Sequence, residues 1–319
     1  MAAVKIVYGA ACIKDDFQDV ETLTKVFDVL EKYNVKAIDT AFMYGESETF
    51  LGEANASKRF IIDTKQRGGL NKADRENVLA EAKSSQEKLK STVDVFYLHA
   101  PDYNTPFEET LEAVNEVYKS GFFKRFGLSN FKAQDVQKLF DIAKEKGYVL
   151  PTVYQGNYNA VARLQEEQLF PTLRKLGISF YAYSPMAGGF FAKTKQYILD
   201  GKGRFDTSTF IGKLYSKLYN RPSYLEALDT WDDIAKEEGV TKTNLAYRWV
   251  RYNSILKPEH GDAIIIGGST IEQIEQTLGA INEGPLSEKA AKRIDDEVWA
   301  TIKNDAAVDM FHDAVLESA

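Results

Sequence analysis

Apolar residues along the chain follow two alternating rhythms. Short runs rich in Val, Ile, Phe and Tyr occupy 4–10, 35–41, 60–65, 93–101, 123–130, 152–158, 178–185 and 263–269. Between them the period lengthens to that of a helix. Leu23, Val26, Phe27 and Leu30 stand at i, i+3, i+4 and i+7, one apolar stripe. Phe107, Leu111, Val114, Val117 and Tyr118 mark the buried face of a second helix. There Thr105 is placed to cap, Pro106 falls in the first turn, acids crowd the start and Gly121 is placed to end it. A third helix repeats the plan, with Val136, Leu139, Phe140 and Ala143 inward and Gly147 closing.

Strands apolar on both faces belong in a parallel sheet covered by helices. Strand and helix alternate about eight times, which predicts an α/β fold, a closed (β/α)8 TIM barrel, as one domain over residues 1–319. The spacing stretches once, between Ser184 and Ile264. That interval holds GKGRFDTSTF and the Lys/Tyr-rich GKLYSKLYNRPSY, read as a long loop over the barrel mouth, then helical patterns at 223–239 and 241–254. Residues 285–319 read as a further helix and a mixed segment.

Composition narrows the function classes. A formal net charge of -7 disfavours binding to a phosphate backbone, without excluding a local basic pocket. One cysteine, Cys12, cannot form an internal disulfide, which suits a reducing compartment, and it reads as a small core or near-core residue. No apolar run approaches the ~20 residues of a membrane span, and the first residues lack a signal-peptide layout. A cytoplasmic protein is expected. Of His99, His260 and His312, only His99 falls at an expected strand end, so no metal cluster is anticipated.

Active sites of such barrels lie at the C-terminal ends of the strands. There the sequence places Asp39 and Tyr44, Lys65, His99, Ser129 and Asn130, Gln155 and Asn157, Tyr183 and Ser184, and Gly267 to Thr270. Singly, each has a plain structural explanation: a turn cap, a surface aromatic, a solvated lysine, a satisfied core histidine. Collected at one rim, Asp39, Tyr44, Lys65 and His99 make a proton-transfer constellation. Free tyrosine, with a pKa near ~10, is a poor acid at neutral pH. The Lys65 ammonium is expected to lower that pKa, with Asp39 as its counter-ion and His99 hydrogen-bonding the substrate oxygen or Tyr44 and orienting the carbonyl. A general acid for a developing alkoxide requires a hydride source, hence a nicotinamide. Neither G-x-G-x-x-G after a strand nor a P-loop is present. IIIGGSTIEQIEQTL instead offers a strand, two glycines and a helix N-terminus suited to an anion, although a glycine turn with an N-cap would read the same way.

These residues resemble the aldo-keto reductase family over roughly residues 5–305. The matching segments are IDTAFMYGESE, FIIDTK, VDVFYLHAPD, FGLSNF, PTVYQGNYNA, YAYSPMAGGFF, GRF and IIGGSTIEQIEQTL. Their combination resembles the aflatoxin-aldehyde reductase branch. The resemblance implies an NADPH-dependent carbonyl reductase in which Asp39, Tyr44, Lys65 and His99 are catalytic and Tyr44 is the general acid. It implies that Ser129, Asn130 and Gln155 bind the nicotinamide carboxamide and that Tyr183 stacks on the ring. Ser184, Met186 and Gly188 would follow the pyrophosphate. Gly268, Ser269, Thr270, Gln273 and Gln276 would meet the adenosine phosphate and adenine, and Arg204 would reach a phosphate from a loop covering the cofactor.

There are departures. Many family members carry Lys, Arg, Glu and Asn where this chain has Gly268, Gln273, Gln276 and Thr277. The two glutamines resemble the aflatoxin-aldehyde branch, whereas Thr277 does not. The missing cations weaken the preference for NADPH over NADH. The family's N-terminal hairpin is absent or very short. Ala11, Met43, Tyr215, Tyr219 and Trp299 are candidates for lining a substrate pocket, and Arg221 or Arg251 for holding a substrate carboxylate. The partner expected is a small-molecule carbonyl compound, and a homodimer is left open. The alternative is a cofactor-binding regulatory protein of the same fold with little turnover; the complete tetrad favours the enzyme.

Overall fold

The computed structural model describes residues 3–306. Eight parallel strands close into a barrel in sequence order. They are β1 (Lys5–Gly9), β2 (Ala37–Asp39), β3 (Ile61–Gln66), β4 (Val93–Leu98), β5 (Phe123–Ser129), β6 (Pro151–Asn157), β7 (Ser179–Tyr183) and β8 (Ala263–Ile266). β8 returns to β1 with Ile6 beside Ile264 and Val7 beside Ile265, so no strand edge is left open. The expected (β/α)8 architecture is thus present.

The strand pleat divides the buried residues into two populations. One set, including Ile6, Tyr8, Ile38, Ile62, Phe96, Phe126, Phe180 and Ile264, faces outward and joins the helices in one large core. The other set, Val7, Val95, Tyr97, Val153, Tyr181, Ala263 and Ile265, fills the barrel itself. At the barrel base Lys5 Nζ donates to Tyr181 Oη at 3.0 Å, and Arg125 donates to the same oxygen and to Asp94. Tyr97 reaches its interior position because Gly127 stands opposite. A Cβ there would lie 2.3 Å from the Tyr97 ring, and the β5–β6 register shifts at this point.

The helices form where the stripes predict them. Val20–Lys32 buries Leu23, Val26, Phe27 and Leu30 and is capped by Asp19, whose carboxylate accepts the Thr22 amide at 2.7 Å. Ala133–Lys146 buries Val136, Leu139 and Ala143 and ends on Gly147 in the left-handed region, whereas Phe140 is only partly buried. Three local expectations are corrected. Phe107–Lys119 starts with Pro106 at the cap position, because the Thr105 hydroxyl is drawn back to Asp102 at 2.6 Å. Tyr118 is 40% exposed, lying just off the apolar stripe. GKLYSKLY is helical within Phe210–Tyr219, since Leu214, Tyr215, Leu218 and Tyr219 share one buried face.

The interval after β7 therefore contains short helical pieces, Lys195–Leu199 and Phe210–Tyr219 among them, before the longer Pro222–Glu238 helix. It crosses the C-terminal end of the barrel. Tyr219 Oη receives Asn157 and Asn159 from the end of β6, and Tyr215 meets Ser184 at the end of β7. Beyond β8, Glu288–Arg293 continues through a wide turn at Ile294–Trp299. The mixed segment expected at the end of the chain falls mostly outside the described residues.

Gly127→Ala is expected to lower stability by about 1–3 kcal/mol by forcing Tyr97 from its seat. An unchanged urea midpoint would contradict this packing of the barrel interior.

Candidate active site

Chain direction alone brings the candidate residues to one rim; short hydrogen bonds then fix them. The turn after β2 is tied to its neighbours, with Thr40 N–H on Asp63 O at 2.8 Å and Phe42 N–H on Lys65 O at 3.0 Å. Ser47 Oγ donates to Ala10 O and meets Thr40 Oγ1, each at 2.8 Å. These bonds hold Tyr44 over the strand ends.

Beneath it lies a buried ion pair. Lys65 Nζ donates to Asp39 Oδ2 at 2.5 Å and to Thr40 O at 2.8 Å, and the lysine is 0% exposed. The other Asp39 oxygen accepts Gln155 Nε2 at 2.8 Å. Lys65 Nζ stands 5.0 Å from the centre of the Tyr44 ring, and the Tyr44 and His99 rings meet edge to face at 5.7 Å. Burial is the largest single effect on Lys65 and works against its charge, but Asp39, Tyr44 and Asp63 together hold the ammonium above its ordinary pKa. The same ammonium pulls the Tyr44 phenol down, as expected. Burial is the larger effect, however, so the phenol sits above its ordinary value and the expected net lowering is corrected. Burial and the nearby Lys65 together depress the His99 imidazole to about 3, leaving it neutral. Its Nδ1 has no hydrogen-bond partner among the described residues.

The next strand ends form a connected chain. Tyr183 Oη donates to Asn130 Oδ1 at 2.7 Å, and Asn130 Nδ2 donates to His99 O and to Ser129 Oγ at 2.9 and 3.0 Å. Asn130 and Ser184 both adopt positive φ, turning their side chains at the rim. Gln155 is engaged with Asp39, which its expected contact with a carboxamide did not foresee. Gly188 is packed under Tyr215, whose ring a Cβ would meet at 2.2 Å, and Met186 is half-buried nearby in sequence.

A separate set gathers after β8. Thr270 caps Ile271–Ile281, accepting the Gln273 amide at 3.1 Å. The Ser269 amide and hydroxyl both donate to Gln273 Oε1, at 2.9 and 3.0 Å. Two donors therefore converge on one oxygen at a helix N-terminus, the arrangement an anion requires. Gly268 lies against Ile274, Gln276 is exposed and Thr277 is buried. Arg204 is exposed on the covering segment, within electrostatic reach of Cys12, Asp16 and Tyr247.

Other expectations are not met. Cys12 is exposed rather than near the core, because the turn after β1 leaves it at the surface. Arg251 donates to Val4 O and Asn282, and Arg221 to Lys217 O and Asp305 O, so neither points toward Tyr44. Trp299 is covered by Arg163, which also lies over Trp249. Tyr219 is fully buried against Phe190 and Tyr224 and lines no pocket, whereas Tyr215 lies at the rim within electrostatic reach of Tyr44. Two interior groups went unnoticed in the sequence, Asp63 and Tyr97. The signal was available, since in IIDTK the period of two puts Asp63 on the face of Lys65. Among the described residues no group of three or more His, Cys, Asp or Glu could hold a metal ion. No helix among them is long and apolar enough to cross a membrane.

Comparison with known proteins shows the family. A model of the Aldo/keto reductase family matches residues 5–298. The chain is 44% identical over 291 residues to Oxidoreductase sirO of Leptosphaeria maculans, covering 90% of this chain and 88% of that protein. It is 38% identical over 281 residues to human Aflatoxin B1 aldehyde reductase member 4, covering 82% and 84%. It is 32% identical over 309 residues to Aldo-keto reductase pigE of Monascus ruber, covering 90% and 88%.

The depressed His99 pKa has a direct readout. Its imidazole resonances are expected to stay fixed between about pH 5 and 8, where an ordinary histidine titrates. A His99 signal that moves with a midpoint near ~6.5 would contradict the half-buried ring with its covered Nδ1 beside Lys65.

Proposed function

The chain belongs to the aldo/keto reductase family and is an oxidoreductase, and from that premise we propose that it reduces a small aldehyde or ketone to the alcohol with NADPH. The observation that carries this reading is the buried Lys65–Asp39 pair set 5.0 Å from the Tyr44 ring, with His99 at its edge. The nicotinamide, when bound, supplies the hydride. The chain's own residues manage the proton.

His99, being neutral, can donate one N–H to the substrate oxygen and orient the carbonyl without bringing a second positive charge beside Lys65. As negative charge develops on that oxygen, Tyr44 Oη gives it a proton. The phenolate left behind is stabilised by the Lys65 ammonium, which Asp39 and Thr40 O hold in place. Burial keeps the phenol protonated before reaction, which suits an acid that must arrive carrying its proton. Gln155, through Asp39, fixes the counter-ion.

The residues present fit a dinucleotide. Ser269 and Thr270, at the N-terminus of Ile271–Ile281, would hold the adenosine phosphate where Gln273 Oε1 now accepts two hydrogen bonds. Ser129, Asn130 and Tyr183 would hold the nicotinamide end, Ser184, Met186 and Gly188 the span between them, and Gln276 the adenine. Gly268 and Gln273 contribute no cation there, so phosphate recognition would rest on neutral donors, the helix N-terminus and Arg204. The names of the human relatives support an aldehyde as substrate. Tyr215, beside Ser184 at the rim and within electrostatic reach of Tyr44, favours an aryl compound.

Tyr44→Phe is expected to reduce turnover of an aryl aldehyde by roughly 10²–10⁴ while NADPH still binds. Unchanged turnover would remove Tyr44 from the acid role. Ser269→Ala is expected to raise the Kd for NADPH more than that for NADH. An equal rise for both, read by fluorescence titration, would place Ser269 away from the ribose phosphate.

A further inference from the structure

Under the Tyr44–Lys65–Asp39 group lies a second carboxyl that the proposed chemistry does not use. Asp63 precedes Lys65 by two residues on β3, so the pleat turns both side chains into the barrel. Its Cα pairs with that of Asp39 on β2, and it is 1% exposed. Its Oδ1 accepts the Val95 amide of β4 at 3.1 Å.

Among the described residues no cation forms an ion pair with it. Lys65 is committed to Asp39, and Arg125 of β5 to Asp94 of β4. Lys5 of β1 donates to Tyr181 of β7 at the barrel base. The remaining polar neighbour from β4 is Tyr97, fully buried, its Oη without a hydrogen-bond partner among the described residues and its ring 5.8 Å from Lys65 Nζ. The upper interior thus holds two carboxyls and one ammonium. Burial, reinforced by Asp39 and Asp94 and opposed by Arg125, pushes the Asp63 carboxyl up to about 7. The Tyr97 phenol is held far above its usual range by burial, with Asp63 and Asp39 adding to it, so it offers no charge in return.

We propose that Asp63 is a positioning residue that sets the charge beneath the Asp39–Lys65 pair: protonated, it leaves that pair neutral overall, and ionised, it opposes proton release from Tyr44. The proposal rests on the reading of Tyr44 as the proton donor. Donation moves a proton from Tyr44 Oη to the substrate oxygen and leaves a phenolate. With Asp63 protonated, Lys65 and Asp39 balance and the phenolate faces the ammonium. When the Asp63 proton passes to solvent, an uncompensated negative charge stands in the same water-poor interior and the phenolate becomes costlier. Ionised Asp63 also holds Lys65 charged, so the ion pair itself survives.

The test compares wild type with Asp63→Asn, which cannot ionise. Reductive kcat for an aryl aldehyde at saturating NADPH is followed from about pH 5.5 to 9. The wild-type value is expected to fall roughly tenfold across neutrality, and the D63N profile to lack that step, with an unchanged Kd for NADPH. A D63N profile that keeps the step, or kcat lowered equally at every pH as a structural role would give, overturns the proposal.

Stability supplies an arm independent of turnover. A carboxyl whose folded pKa is raised retains a proton that the unfolded chain has already released. Folding stability therefore falls as pH rises from about 4 to 7. The urea midpoint of D63N relative to wild type is expected to rise between pH 5 and 8, and a constant difference overturns the proposal. Should D63N fail to fold, infrared titration of the wild type replaces it. A buried protonated-carboxyl band lost near neutrality that persists in Glu48→Gln supports Asp63, since Glu48 is the other buried carboxyl raised by burial, and the absence of such a band overturns it. If the wild type reduces no aldehyde, the reductase reading fails, and the stability or infrared arm alone decides the ionisation of Asp63.

Discussion

The contact on which this structure turns is the ion pair between Lys65 and Asp39 inside the barrel rim. Taking two charges out of water costs several kcal/mol each, and their attraction compensates only when the remaining donors and acceptors are also matched. Here they are. Thr40 O takes a second Lys65 hydrogen and Gln155 takes the second Asp39 oxygen. Such a pair is a weak source of stability and a strong source of position. It fixes an ammonium under a phenol in a place where water cannot screen it.

The surrounding fold can be understood as support for that arrangement. Three strands supply the pair and its glutamine, and the barrel's closure sets the angles between them. The turn carrying Tyr44 is bonded to β3 through its backbone, so phenol and ammonium move together. Above, the Phe210–Tyr219 helix brings Tyr215 and Tyr219 over the ends of β6 and β7. Below, Tyr97, Val95 and Val153 fill the interior and keep the local dielectric low.

Much of this was legible in the chain. Apolar runs without a polar face gave the parallel strands, and the lone carboxylate ending one of them gave Asp39. The tetrad followed because parallel strands all end on the same side. What the sequence hid depended on which of two forces won. Lys65 does pull on Tyr44, yet only a folded interior reveals that burial pulls harder. Gln155 could bond a ligand or a neighbour, and Asp39 on a distant strand was nearer. GKLYSKLY looked like loop because its glycine and lysines outweighed an apolar face that becomes visible only against the barrel rim. Arg221 and Arg251 could be counted in the sequence but not aimed. Asp63 was overlooked although its spacing from Lys65 already placed both on one face.

The central claim is that the Lys65 charge acts on the Tyr44 phenol across a dry interior. The most direct measurement is the titration of that phenol by ultraviolet difference absorbance, using Tyr44→Phe to identify its signal. It would be compared between wild type and a variant in which Asp39→Asn and Lys65→Met remove both charges together. The account predicts that the Tyr44 midpoint moves upward when the pair is removed. A midpoint that stays where it was, in a variant that remains folded, would show that the ion pair does not govern the phenol.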